Sequence, residues 1–104
     1  MILVTAMYPS RPGSRFDLDY YLQKHIPLVK QRWSSMGLEE VRLVKGLGTA
    51  DGADPPYRII ALLFFRSMED FQAAAAKHAP EILGDVANFT DAGPTLQISE
   101  VIGQ

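Results

Sequence analysis

Residues 15–37 read RFDLDYYLQKHIPLVKQRWSSMG, and the rest of the chain can be laid out from them. Leu18, Leu22, Ile26, Val29, Trp33 and Met36 recur at steps of three and four, a spacing that draws one apolar stripe along a helix facing a core. Asp17 is a good N-cap, Asp19 suits the first turn, Phe16 and Tyr21 are spaced as a hydrophobic staple, and Gly37 is the natural stop. Pro27 conflicts with this pattern. A proline inside a helix removes a backbone donor, crowds the carbonyl four residues back, here Gln23, and pushes the preceding Ile26 away from helical angles. The helix is therefore expected to kink or restart near His25. Local rules tend to break at functional or strained places, so the titratable His25 at this interruption is a candidate site.

Working outward, Ile2–Tyr8 is apolar at almost every position, as a strand covered on both faces would be. The turn-rich loop PSRPGS, residues 9–14, leads from it to Asp17. Beyond Gly37, Glu40–Leu47 reads as a less well covered strand, with a bulge or bend where Val44 and Gly46 break the alternation. After the loop TADGADPP, residues 49–56, Tyr57–Phe65 is the most hydrophobic segment and should be a central strand. Ser67 and Asp70 resemble a capping box opening a second helix with Met68, Phe71 and Ala74 or Ala75 inward. Pro80 is expected to interrupt that helix after His78. Thr95–Ile102 closes the domain as a strand.

The order strand, helix, strand, strand, helix, strand is the split βαβ pattern, an α+β ferredoxin-like βαββαβ sandwich. Two helices shield only one face of a four-stranded sheet, yet the first and third strands are apolar on both. An exposed apolar face of that size exceeds the few hundred Å² of order that monomers carry. Two subunits are therefore expected to pack sheet against sheet.

Composition narrows the functional classes. At 104 residues the chain has the size of one domain, 1–104. A 47% hydrophobic and 21% charged make-up with zero mean hydropathy suits a globular protein rather than a disordered chain or a membrane bundle. The ten Lys and Arg are scattered and the net charge is −2, so neither nucleic acid nor an anionic membrane is an expected partner. The absence of cysteine removes disulfides, thiolate catalysis and Cys-ligated metals. The N-terminus lacks a basic leader and a cleavage pattern, which makes the cytoplasm the expectation and Asn88-Phe89-Thr90 a chance glycosylation match.

Among candidate side chains His25 leads, because an imidazole with a pKa near 6.5 gives or takes a proton near neutrality. At about 100° per residue it falls beside the apolar stripe, with Tyr21, Leu28 and Arg32 on the same flank. Tyr8 and Tyr21 offer hydroxyl donors to a pocket. Tyr20, opposite the stripe, reads as a packing residue with its hydroxyl at the surface. His78 reads as a cation near a helix C-terminus, with axial ligation of haem as the alternative. Asp85 and Asp91 read as solvated loop carboxylates, with a general acid or base role as the alternative. Arg11 and Arg15 flank the entrance loop, to hold an anion or solvate the turn. The two histidines share no metal-ligand spacing, no carboxylate–histidine cluster is visible, and no phosphate loop or nucleophile elbow is present. Neither a metal nor a cofactor is expected.

MYP at 7–9, RFDLDYYLQKHIPLV at 15–29, Trp33, Gly37, FRSMEDFQAA at 65–74 and NFTDAGPTLQIS at 88–99 together resemble the EthD family across nearly the whole chain. The resemblance implies a dimeric α/β barrel of ferredoxin-like subunits with a mostly apolar pocket between sheet and helices. It also implies a kinship that runs from an accessory protein of fuel-ether degradation to a lactone methyl-isomerase and fungal enzymes tailoring aromatic polyketides. The wider barrel superfamily includes haem-handling enzymes and monooxygenases. His25 matches the family's His-Pro block, with Ile26 where methionine is common. Tyr8, Phe16, Asp17 and Tyr21 also match motif positions. The resulting expectation is a homodimer that binds a small hydrophobic cyclic or aromatic metabolite. It would act without a cofactor by proton transfer at His25, as an isomerase, dehydratase or oxidoreductase accessory. Tyr8 and Tyr21 would orient the ligand and Trp33, Phe65 and Phe89 would form the apolar wall. The alternatives are a non-catalytic accessory module and a haem-handling protein.

Overall fold

The computed structural model describes residues 1–103. Strand β1, Ile2–Pro9, leads to helix α1, residues 18–33, which ends in a 3-10 turn, Ser34–Met36. Strands β2, Leu38–Lys45, and β3, Tyr57–Phe65, follow. Helix α2, Met68–Gly84, then runs into the 3-10 turn Val86–Asn88, and strand β4, Thr95–Glu100, completes the order. The sheet order is β2-β3-β1-β4, with every neighbouring pair antiparallel. This is the ferredoxin-like α+β sandwich that the sequence implied.

Alternation along the strands sorts their side chains. Val4, Ala6 and Tyr8 of β1, with Ile59, Ala61, Leu63 and Phe65 of β3, are buried with the inner faces of both helices. The intervening Leu3, Met7, Ile60, Leu62 and Phe64 occupy the opposite face, where they are only half-buried because no element among the described residues covers them. Among the described residues no helix is long and apolar enough to cross a membrane.

Helix α1 begins as expected. The Asp17 carboxylate accepts the Tyr20 N–H at 3.0 Å, and Phe16 meets Tyr21 edge-on with ring centroids 5.2 Å apart. The expected restart near His25 takes the form of a π-helical turn within a continuous helix, not a gap. α-helical Leu18–Tyr20 passes into a π-helical turn, Tyr21–His25, and then into α-helical Ile26–Trp33. The Ile26 N–H reaches back five residues to the Tyr21 carbonyl, and Ile26 keeps helical angles of −65° and −42°. Pro27 thus falls in the first turn of a resumed α-helix, where a missing donor costs little. A π turn holds one extra residue in the helix. The buried face therefore runs through Tyr21, His25, Val29 and Trp33, and Leu22 is left 47% exposed instead of joining the stripe. Gly37 stops α1 at φ 99°, where a Cβ would lie 2.6 Å from the Asp70 carboxylate.

Three further boundaries depart from the sequence reading. Pro80 sits inside an unbroken α2, because only one ladder bond depends on its missing N–H while Ala79 and Ile82 hold the segment on the core. The irregularity in β2 falls between Leu38 and Glu40, not near Gly46, and the strand ends at Lys45. Strand β4 stops at Glu100, after which the Val101 N–H still reaches the Met1 carbonyl at 3.1 Å.

Candidate functional site

A cavity of about 90 Å³ lies between the β1–β3 half of the sheet and the two helices. Four of the six residues singled out in the sequence line it: Tyr8 from β1, and Tyr21, His25 and Trp33 from α1. Tyr21, His25 and Trp33 share the inner face of α1 because the π turn brings the first two into line with the third. Phe65 and Phe89, expected on the wall, are fully buried behind it. Phe65 packs edge-on against Trp33 and Phe71, at 5.5 and 5.2 Å. Phe89 packs beneath His25 at 4.6 Å and beneath Tyr21 at 5.0 Å. The sheet and α2 line the cavity instead through residues such as Ala61, Leu63, Phe71 and Ala75.

His25 is 4% exposed, and its Nδ1 lies 2.9 Å from Asp85 Oδ2. The other carboxylate oxygen accepts two further bonds, from the Tyr20 hydroxyl at 2.7 Å and from Asn88 Nδ2 at 2.8 Å. A histidine–carboxylate pair therefore exists where none was visible in the sequence, and one expectation falls with it: Asp85 is not a solvated loop acid, its side chain being 14% exposed. Tyr20 packs on Phe89 as expected, and its hydroxyl is tied to Asp85. The partners of the pair are 60 residues apart, so no local spacing records it. One signal was available: Asp85 caps the C-terminus of α2, the negative end of the helix dipole, where an acid is disfavoured. Like Pro27, it breaks a local rule.

The charge states follow from the surroundings. Burial pushes the His25 pKa down and outweighs the opposing bond and charge of Asp85, so the ring is neutral at neutral pH. For Asp85 burial opposes ionisation, but the bonds from Tyr20, Asn88 and His25 outweigh it and hold the carboxyl below the usual range. An ionised Asp85 can only accept, so Nδ1 of the neutral imidazole carries the hydrogen and Nε2 carries the lone pair. With Nδ1 committed, Nε2 is the ring nitrogen left for a ligand.

Tyr21 stacks against His25 with centroids 5.6 Å apart, and its buried hydroxyl has no hydrogen-bond partner among the described residues. Burial raises its pKa, with the neighbouring Tyr8 adding to the shift, and burial likewise raises that of Tyr8. Both phenols stay protonated as donors. An unpaired buried hydroxyl costs free energy of about 1–3 kcal/mol, a cost that a ligand oxygen would remove. The Trp33 indole is already satisfied by the Ala74 carbonyl at 2.9 Å, which pins α1 to α2; its role at the cavity is apolar.

The remaining candidates build the frame. The Asp91 carboxylate accepts the Arg15 backbone N–H at 2.9 Å, the Arg15 guanidinium reaches the Ala87 carbonyl, and Thr90 Oγ1 donates to the Arg15 carbonyl at 2.7 Å. These bonds fasten the entrance loop to the segment that carries Phe89. His78 does not line the cavity; its Nδ1 is 3.9 Å from Glu81, whose carboxylate takes a two-pronged bond from Arg32. Among the described residues no cluster of three or more metal-binding side chains forms.

A ferredoxin-like domain with an apolar cavity between sheet and helices, and a histidine–carboxylate pair in its wall, defines a class of small α+β pocket proteins. The sequence model of the EthD domain matches residues 14–93. A Rhodococcus erythropolis protein, described as an uncharacterized 11.0 kDa protein of the thcB-thcC intergenic region, is 35% identical, with 96% of this chain and 94% of that one aligned. The crystal structure of an EthD-like protein from Ralstonia eutropha JMP134 superimposes with a TM-score of 0.90 at 43% identity, covering 99% of this chain and 93% of the other. That of an ethyl tert-butyl ether D (EthD) family protein from Bacillus halodurans C-125 gives 0.70 at 18% identity, covering 98% and 99%, a likeness of fold. The chain belongs to the EthD family.

Proposed function

We propose that this protein binds a small, largely apolar cyclic or aromatic metabolite and moves a proton on it without a cofactor. The observation that carries this reading is a neutral, carboxylate-held His25 in the wall of an otherwise apolar cavity, stacked on a Tyr21 whose hydroxyl lacks a partner. In the reaction, Nε2 of His25 takes a proton from a carbon or hydroxyl of the ligand. The imidazolium that forms is stabilised by Asp85, and the Tyr21 hydroxyl donates to the oxygen on which negative charge collects. Return of the proton to a different carbon isomerises the ligand; its return to a hydroxyl leaving group dehydrates it. Tyr8 orients the ligand and Trp33 supplies apolar wall.

The cavity is smaller than the ~150 Å³ that holds benzene in a known apolar cavity. Its lining includes Leu83 and Leu96, 48% and 50% exposed, so a ligand larger than one ring extends past them. The protein works as a cytoplasmic homodimer joined through the uncovered apolar sheet face of Leu3, Met7, Ile60, Leu62 and Phe64, whose burial supplies the driving force. Sedimentation equilibrium tests the dimer, and a monomer that persists at high concentration overturns it.

The chemistry is tested by incubating a panel of cyclic ketones and phenols with the protein in D₂O and following ring-proton exchange by NMR. Exchange is expected above the buffer rate, and to vanish in His25→Ala. Full exchange in that variant removes His25 from the reaction. A ligand that raises the melting temperature without exchanging marks the pocket as a carrier site.

A further inference from the structure

Three groups outside the cavity bear on what His25 can do in it. Asp85 Oδ1 accepts from both the Tyr20 hydroxyl and Asn88 Nδ2, while Oδ2 alone faces His25 Nδ1. The Asn88 amide also approaches the Tyr20 hydroxyl at 3.4 Å, closing a small network. Tyr20 comes from the start of α1, Asp85 from the end of α2 and Asn88 from the 3-10 turn that follows. Three separate elements thus fix the carboxylate in one orientation. None of Tyr20, Asp85 or Asn88 lines the cavity.

We propose that Asp85, clamped by Tyr20 and Asn88, is a positioning residue that locks His25 in the Nδ1–H tautomer, so that the cavity receives the Nε2 lone pair and selects ligands with an acidic C–H or O–H. This rests on the reading of His25 as the proton-transferring group and extends it to the ligand's chemistry. With Nε2 as acceptor, a ligand offering only acceptors to that nitrogen gains no bond there, whereas an enolisable carbonyl compound or a phenol brings the proton the site lacks. The same ligand's oxygen can accept from Tyr21. The clamp sets the direction of the first transfer: from ligand to protein.

The decisive variant is Asp85→Asn, which keeps shape and hydrogen-bonding capacity. In the parent Tyr20 and Asn88 both donate to Oδ1, so where they keep that role the new amide turns its oxygen toward them and its NH₂ toward His25. Nδ1 is then expected to accept, which moves the ring hydrogen to Nε2. A misassigned tautomer in a histidine–aspartate pair of this kind is known to cost a protease about 10⁴ in turnover. Nitrogen-15 NMR of the imidazoles in the full-length protein without ligand reads the tautomer directly. The Nδ1–H form is expected for His25 in the parent and the Nε2–H form in Asp85→Asn. Tyr20→Phe, which removes one donor and leaves the carboxylate, is expected to keep Nδ1–H.

An Nε2–H tautomer in the parent, or Nδ1–H retained in Asp85→Asn, overturns the assignment. The parent measurement stands even if the variant does not fold. Because the readout needs no turnover, its failure is separable from that of the proposed reaction. If the tautomer switches as expected but His25→Ala still exchanges ligand protons, the clamp is real and the reaction lies elsewhere. In ligand screens by thermal shift, phenols are expected to outrank their methyl ethers in the parent and to lose that lead in Asp85→Asn. Equal ranking in the parent removes the selectivity.

Discussion

His-x-Pro occurs twice in this chain, as His25-Ile26-Pro27 in α1 and as His78-Ala79-Pro80 in α2, and the two copies reach different ends. In α1 the proline follows a π turn, and the histidine is buried on a cavity wall against Asp85. In α2 the proline sits within a continuous α-helix, and the histidine is partly exposed, 3.9 Å from a surface glutamate. The local triplet is nearly the same. What differs is the surroundings: α1 passes over the cavity opposite the C-terminal end of α2, where a carboxylate waits, whereas His78 faces the exposed Arg32–Glu81 pair. The lesson is that a proline–histidine triplet marks a place worth inspecting, and the tertiary partner decides whether it becomes a site.

The largest test of the contrast is kinetic. His25→Ala is expected to lower ligand proton exchange by about 10²–10⁴-fold, the usual contribution of a positioned acid–base group, while His78→Ala stays within about twofold. Equal effects from the two substitutions erase the distinction.

Next in size are the prolines themselves. An exposed proline inside a helix costs about 3 kcal/mol relative to alanine, so Pro80→Ala should raise unfolding stability by about 2–3 kcal/mol in urea. Pro27 lies in the first turn after the π handover, where a donor is not needed, so Pro27→Ala should change it by less than about 1 kcal/mol. A larger gain at Pro27 would mean that the π turn does not accommodate the proline.

A smaller effect is expected from Tyr21→Phe, which removes a buried hydroxyl that lacks a partner among the described residues. The unliganded protein should gain about 1 kcal/mol in stability, and the thermal shift produced by phenols or cyclic ketones should shrink. A loss of stability on this substitution would show that the hydroxyl is satisfied without a ligand.

Finest is the pH dependence. The folded pKa of His25 is depressed below its ordinary 6.5, chiefly by burial. On acidification the unfolded chain takes up that proton near 6.5 and the folded protein only at lower pH. The stabilisation is thus complete above 6.5 and is lost as pH falls toward the folded value. Urea midpoints measured downward from pH 7.5 should show this decline in the parent and a shallower one in His25→Gln. Parallel curves would mean that His25 is not held neutral by the fold.

Much of this architecture was readable in advance, and for identifiable reasons. The alternation of β1 and β3, the Asp17 and Ser67 caps and Gly37 at positive φ are local devices, and each appears where its residues predicted it. Four of the six candidate residues meet at the cavity because a helix face and a strand face are periodic. Phe65 and Phe89 do not, since periodicity says that a ring points inward but not whether another ring stands in front of it. Leu22 was misplaced because a single extra residue in a π turn rotates everything before it.

The sequence by itself determined the order of elements, the uncovered apolar sheet face and His25 as the residue to watch, since all three are written in short-range spacing and in one broken helix rule. Tertiary structure alone decided what His25 became. Asp85 and Asn88 lie some 60 residues along the chain, and only the packing of α1 against the end of α2 brings them to the ring. A proton's place on an imidazole depends on a partner's lone pair at 2.9 Å, and a contact of that kind between distant segments leaves no period in the sequence.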